Sequence, residues 1–185
     1  MRKLISRAFL PVALLAPLVA LGMALWVAPH PASAASAHRR AGGSRLTAVD
    51  AAALRQKLGA LKGKVVVLNV WATWCGPCVI EFPGLVKFER AYRRRGVRVI
   101  GLSMDDPSRV QQVVPPFLAR NGARFTVYAL KPVDPGSVVG VVDKGWTGAI
   151  PMTYVIDRSG QVRTRLMGAR GYDDFEAAIR PLLRG

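Results

Sequence analysis

The sequence predicts an α/β fold, a central mixed β-sheet flanked by helices, behind an N-terminal hydrophobic leader. Three observations carry this. Val65-Val66-Val67-Leu68-Asn69-Val70 is a continuous β-branched run, the pattern of a strand buried on both faces of a parallel or mixed sheet. A helical stretch to about Arg95 follows it and leads into a second buried strand over residues 97–103, which makes a β-α-β unit. Near the C-terminus, residues 152–157 and 161–167 flank Arg158-Ser159-Gly160 and predict an antiparallel hairpin.

Composition bounds the answer. The chain's 185 residues suffice for one compact domain with extra length at one end, and 51% apolar content suits a protein that buries a core. Its two cysteines are only two residues apart, so no disulfide framework ties distant segments together. The formal charge of +16 raises the question of a polyanionic partner. Arginines are scattered from Arg39 to Arg184, and the densest run, Arg93-Arg94-Arg95, falls near a predicted helix end, where cations complement the dipole. No aromatic-interleaved basic stripe or nucleic-acid reading motif is present, so the expectation is a solvated basic surface and no nucleic acid, with some attraction to anionic lipid headgroups allowed.

In chain order, Arg2, Lys3 and Arg7 precede residues 8–28, which carry no charge. Two small-x-small sites follow, Ala32-Ser33-Ala34 and Ala35-Ser36-Ala37, as a signal peptidase requires. The apolar stretch is also long enough to span a bilayer. Residues 1–37 are therefore expected to be a signal peptide or an N-terminal membrane anchor. Flanking charge does not set the orientation, because Arg39, Arg40 and Arg45 offset the N-terminal cations; export follows from the cleavage-like sites. Residues 38–44 read as a linker and residues 45–185 as the folded domain.

Within that domain, a short β-like run leads into a helix across residues 46–61, with Asp50 as N-cap, Leu54, Leu58 and Leu61 at helical spacing, and Gly63-Lys64 as the stop. Beyond the second buried strand, Asp106-Pro107 predicts an N-cap and first helical residue and Asn121-Gly122 a stop. A helix is expected over residues 107–120, kinked or divided by Pro115-Pro116. Residues 125–129 suit an extended segment, and residues 131–145, with Pro132, Pro135 and Gly136, an irregular insertion. A last helix over residues 173–183 presents Phe175, Ile179 and Leu182 on one face.

The chemistry is concentrated in Trp74-Cys75-Gly76-Pro77-Cys78, at the junction of a buried strand and a helix. Unpaired backbone N–H groups and the helix dipole stabilise an anion there, which favours a thiolate at Cys75 and makes it the nucleophile. Cys78, about one turn further in, resolves the mixed disulfide. Gly76 and Pro77 form the tight active-site turn, and Pro77 forfeits no helix hydrogen bond in a first turn. A zinc site needs further Cys or His ligands, and the only histidines, His30 and His38, lie in or beside the leader, so no metal is expected.

Asn69-Val70-Trp71-Ala72-Thr73-Trp74-Cys75-Gly76-Pro77-Cys78, followed by Glu81 and Pro83, resembles the active-site segment of the TlpA/ResA branch of thioredoxin-like proteins. In element order the resemblance covers about residues 46–184. It includes Gly148-Ala149-Ile150-Pro151-Met152-Thr153, similar to the family's cis-proline loop, and Ile156-Asp157-Arg158-Ser159-Gly160, similar to its hairpin. The resemblance implies a thioredoxin fold, a redox-active Cys75–Cys78 disulfide, a cis bond at Pro151, and substrate held by Pro151 and the backbone at Ile150. Trp74 is expected to shield the disulfide and line the substrate surface, Trp71 to sit in the core, Pro83 to kink its helix, and Trp146 to border the groove or close the insertion.

Typical thioredoxins carry a buried Asp six residues before the first cysteine, where this chain has Asn69, which exchanges no proton at neutral pH. Glu81, three residues after Cys78 on the same helical face, is the candidate substitute; the plainer alternative is an exposed carboxylate favoured by the helix N-terminus. The resemblance further implies an extracytoplasmic reductase of cysteine-containing exported proteins, supplied by a membrane thiol donor of the DsbD/CcdA type. It implies no cofactor beyond the disulfide and a monomeric state. Apocytochrome c is the family's best-known substrate class, but much of the extended N-terminal hairpin of many members is missing before Gly63-Lys64. Three other functions compete: a disulfide-forming oxidant, a thiol peroxidase with Thr73 beside Cys75, and a non-catalytic peptide-binding or chaperone module.

Overall fold

The computed structural model describes residues 46–183. The expectations for residues 1–37 and 38–44 lie outside them. Among the described residues six strands form one sheet in the order β1-β4-β3-β2-β5-β6, where β1 is Leu46–Val49, β2 Val65–Trp71, β3 Val97–Ser103, β4 Thr126–Leu130, β5 Met152–Ile156 and β6 Val162–Met167. The first four are mutually parallel, and β5 and β6 run antiparallel as the predicted hairpin. The sheet is mixed.

β2 explains its own composition. Val65, Val67 and Trp71 face one apolar layer, built with helices α2 (Gly76–Tyr92), α3 (Val110–Arg120) and α5 (Tyr172–Ile179). Val66, Leu68 and Val70 face the other, built with α1 (Ala51–Gly59) and α4 (Pro135–Val139). With both faces covered there is no position for a solvent-facing residue, and all seven are buried. Trp71, Phe82 and Phe117 meet with ring centroids 4.7 to 5.0 Å apart and tie β2 to α2 and α3.

Several boundaries differ from the expectation. Asp50 caps α1 as foreseen, accepting from the Ala53 N–H at 2.8 Å, but the helix ends at Gly59 and reaches β2 through a turn. Asp106 does not cap α3. Its side chain closes on the Ser108 N–H at 2.7 Å, and the helix starts at Val110. Pro115 and Pro116 do not divide that helix, because they lie on its solvent face while Val114, Phe117 and Leu118 anchor the other. The insertion is not wholly irregular: Asp134 accepts from the Ser137 N–H at 2.7 Å and starts α4, whose Val138 and Val139 are fully buried. The last helix stops at Ile179 and continues as a single tighter turn, Arg180–Leu182.

Candidate active site

β2 runs out through Trp71 into the turn that ends at Cys75, the N-cap of α2. The Cys75 Sγ accepts from the Cys78 N–H at 3.3 Å, so the sulfur sits on one of the helix's unpaired donors. Cys75 and Cys78 form a disulfide. Cys75 is 7% exposed and Cys78 not at all, so Cys75 is the one of the pair that meets solvent. The preceding turn is pinned by a buried acid. Asp105 accepts from the Thr73 N–H at 3.1 Å, the Thr73 hydroxyl at 2.5 Å and the Ser103 hydroxyl at 2.8 Å.

The remaining expected residues gather at the same end of the sheet. The register Val70↔Met152 sets the cis bond Ile150–Pro151 beside the strand end that leads to Cys75. An open groove of about 480 Å³ lies between that loop and the insertion, lined by Trp74, Met104, Asp134, Trp146 and Ile150. Trp74 is 68% exposed, and Trp146 is held on the groove wall by its indole N–H, which donates to the Ala149 carbonyl at 2.9 Å. Ile80, one turn along α2, is 78% exposed, so apolar surface also continues past the disulfide.

Glu81 is not the exposed carboxylate of the plainer alternative. It is 3% exposed, beneath the disulfide turn on the face of α2 that carries Cys78. Its Oε1 accepts from the Asn69 side-chain amide at 2.6 Å and its Oε2 from the Arg170 backbone N–H at 2.9 Å. Burial raises its pKa above the ordinary value, and the hydrogen bonds from Arg170 and Asn69 and the Arg170 charge only partly oppose this. Asn69 also donates to the Thr153 hydroxyl at 2.9 Å, so the amide bridges the carboxylate to the strand that follows Pro151. Among the described residues no cluster of His, Cys, Asp or Glu forms a metal site.

Sequence reasoning missed Asp105, Thr153 and Arg170. Asp105 stands next to Asp106, whose Asp-Pro pattern is the one that signals a helix cap, and Thr153 lies within the proline loop. Arg170 acts through its backbone, and no side-chain pattern marks that.

Residues 45–165 match the model of the AhpC/TSA family. Among curated proteins, the chain is 35% identical over 124 residues to the thiol:disulfide interchange protein HelX of Rhodobacter capsulatus, covering 66% of this chain and 63% of that protein. It is 30% identical over 123 residues to the thiol-disulfide oxidoreductase ResA of Bacillus thuringiensis, covering 66% and 65%. The chain thus spans a little under two thirds of the length of these relatives. Among solved structures, the thiol:disulfide interchange protein of the thioredoxin family from Chlorobium tepidum superposes with a TM-score of 0.58 at 29% identity, covering 68% of this chain and 83% of that one. The fold is the thioredoxin fold, and the chain belongs to the AhpC/TSA family of thioredoxin-like proteins.

Proposed function

We propose that this protein is an extracytoplasmic thiol–disulfide oxidoreductase that reduces disulfides in exported proteins through Cys75 and Cys78. The observation that carries the reading is the Cys75–Cys78 disulfide at the N-terminus of α2, with Cys75 at the edge of solvent and Cys78 fully buried. The names of the HelX and ResA relatives support it.

In the reduced protein the Cys75 thiolate attacks one sulfur of a substrate disulfide. A mixed disulfide forms, and the other substrate sulfur leaves as a thiolate and takes a proton. Cys78 then gives its proton to Glu81 and attacks the Cys75 sulfur, which expels the second substrate thiolate. That second thiolate takes up a proton in turn and Glu81 releases the one it received to solvent, so the substrate gains two electrons and two protons and the pair returns to the disulfide. A membrane dithiol of the DsbD/CcdA type restores the reduced pair by the reverse exchange. Gly76 and Pro77 hold the turn, while Trp74, Ile150 and Pro151 line the surface that receives the substrate. The chemistry calls for no cofactor beyond the disulfide, and a monomer suffices for it. Residues 1–37 supply the export signal or anchor, residues 38–44 the linker and residues 45–185 the catalytic domain; cytochrome c maturation is one use that fits.

The peroxidase reading loses support, since the Thr73 hydroxyl is engaged by Asp105. Equilibration of the pair against a dithiol buffer tests the direction of electron flow. A potential near the roughly −270 mV of thioredoxin is expected, and one near the roughly −120 mV of a strong oxidant would assign the protein to disulfide formation.

A further inference from the structure

The chain's 27 Lys and Arg against 11 Asp and Glu are not spread evenly over the fold. Topology is the reason. β1 to β4 run parallel and α1, α2, α3 and α5 return in the opposite sense, so one pole collects helix N-termini and Cys75 while the other collects helix ends and strand starts. At the pole away from the disulfide, α1 and its following turn expose Lys57, Lys62 and Lys64. The end of α2 exposes Arg93, Arg94 and Arg95, and the end of α3 exposes Arg120 and Arg124. The acids nearby are engaged: Asp157 with Arg163 at 2.5 Å, Glu89 with Arg93 at 3.7 Å, and Glu176 with the Tyr92 hydroxyl. At the disulfide pole the signs are mixed: Asp50 pairs with Lys131 at 2.7 Å and Asp143 with Arg165 at 3.1 Å, Asp106, Asp134, Asp173 and Asp174 are exposed, and the cations there include exposed Arg109 and half-buried Arg170.

Helix dipoles account for cations in the last helical turns. They do not account for Lys62, Lys64 and Arg124, which lie beyond the helices. Like charges so gathered repel one another, and an anionic partner relieves that repulsion.

Two observations at the same pole select the partner. Between α1 and the β5–β6 hairpin lies a cleft of about 260 Å³ lined by Leu58, Leu61, Val142 and Ile156 together with Arg55, Lys62 and Asp157, whose charge Arg163 already pairs. Cations over apolar surface suit a phospholipid, which offers an anion and hydrocarbon together; a nucleic-acid backbone offers only the anion. The chain also enters the fold here, because β1 begins at Leu46 and runs parallel to β4, and the uncharged residues 8–28 precede it in the sequence.

We infer that this basic pole rests on an anionic phospholipid surface, with the disulfide pole turned away from it. The inference is independent of the redox chemistry. Its test uses the full-length protein with phosphatidylcholine vesicles, with and without phosphatidylglycerol, and reads lysine acetylation by mass spectrometry. With phosphatidylglycerol, Lys57, Lys62 and Lys64 are expected to react roughly fivefold more slowly relative to Lys131. Pure phosphatidylcholine should leave the ratio unchanged, and about 1 M salt, where the screening length is about 3 Å, should abolish the slowing. Changing Arg94, Arg120 and Arg124 to Glu should weaken it; the lipid and salt comparisons stand on the unaltered protein. Equal slowing at Lys131, or slowing indifferent to lipid charge, overturns the inference. So does a DNA duplex at matched phosphate concentration that protects the same lysines as well as the vesicles do.

Discussion

Glu81 loses nearly all its water and receives in exchange the Asn69 amide, the Arg170 backbone N–H and the more distant Arg170 charge. That exchange is unfavourable to the ionised form, which is why burial dominates and the pKa rises. A carboxyl group tuned upward is better matched to receive a thiol proton than a solvated one. Two results follow. Glu81→Gln should slow resolution of a mixed disulfide near neutral pH on the order of a hundredfold, measured by stopped-flow exchange. It should also change the pH dependence of stability. The folded protein holds this proton to higher pH than the unfolded chain does, so above the ordinary value of 4.5 wild-type stability falls as pH rises through the raised pKa. The Gln variant lacks that fall. Denaturant midpoints across pH compare the two, and parallel curves would contradict the buried-carboxyl account.

At the scale of elements, α2 carries both cysteines and Glu81, and its position depends on close contact with α5. Gly84 permits it: a Cβ there would stand 3.3 Å from the Tyr172 amide nitrogen, and Tyr172 opens α5 two residues after Arg170, whose backbone N–H reaches Glu81. Gly84→Val should therefore cost about 1–3 kcal/mol in denaturant unfolding and weaken the Glu81 contact, with exchange slowed in proportion. The strands were the most legible elements. β2 is a nearly unbroken apolar run suited to a central strand, and β3 begins and ends at the bounds expected for it. Helix starts were less legible. At Asp106 a side chain able to cap instead closes a local turn, a choice that depends on where the chain must travel next and not on residue type. The insertion hid α4 because its pattern is too short for periodicity, and Asp134 followed by Pro135 was its one visible signal.

For the whole molecule, the site is a meeting of distant segments. The disulfide lay plain in five consecutive residues, and the proline loop in the resemblance. What holds them could not be seen locally: Asp105 reaches back 32 residues to Thr73, and Arg170 reaches 89 residues to Glu81 through a backbone amide. Sheet order creates these contacts, with β3 and β5 on either side of β2. Charge follows the same topology, since α1, α2 and α3 point their N-termini toward the disulfide and their basic last turns away. In the proposed mechanism Cys75 is the attacking sulfur, and recovery of mixed disulfides from the exported compartment with single-cysteine variants measures this most directly. Cys78→Ser should accumulate adducts with cysteine-containing exported proteins, joined through Cys75, while Cys75→Ser accumulates almost none; adducts that collect on Cys78 instead, or on neither variant, would contradict the account.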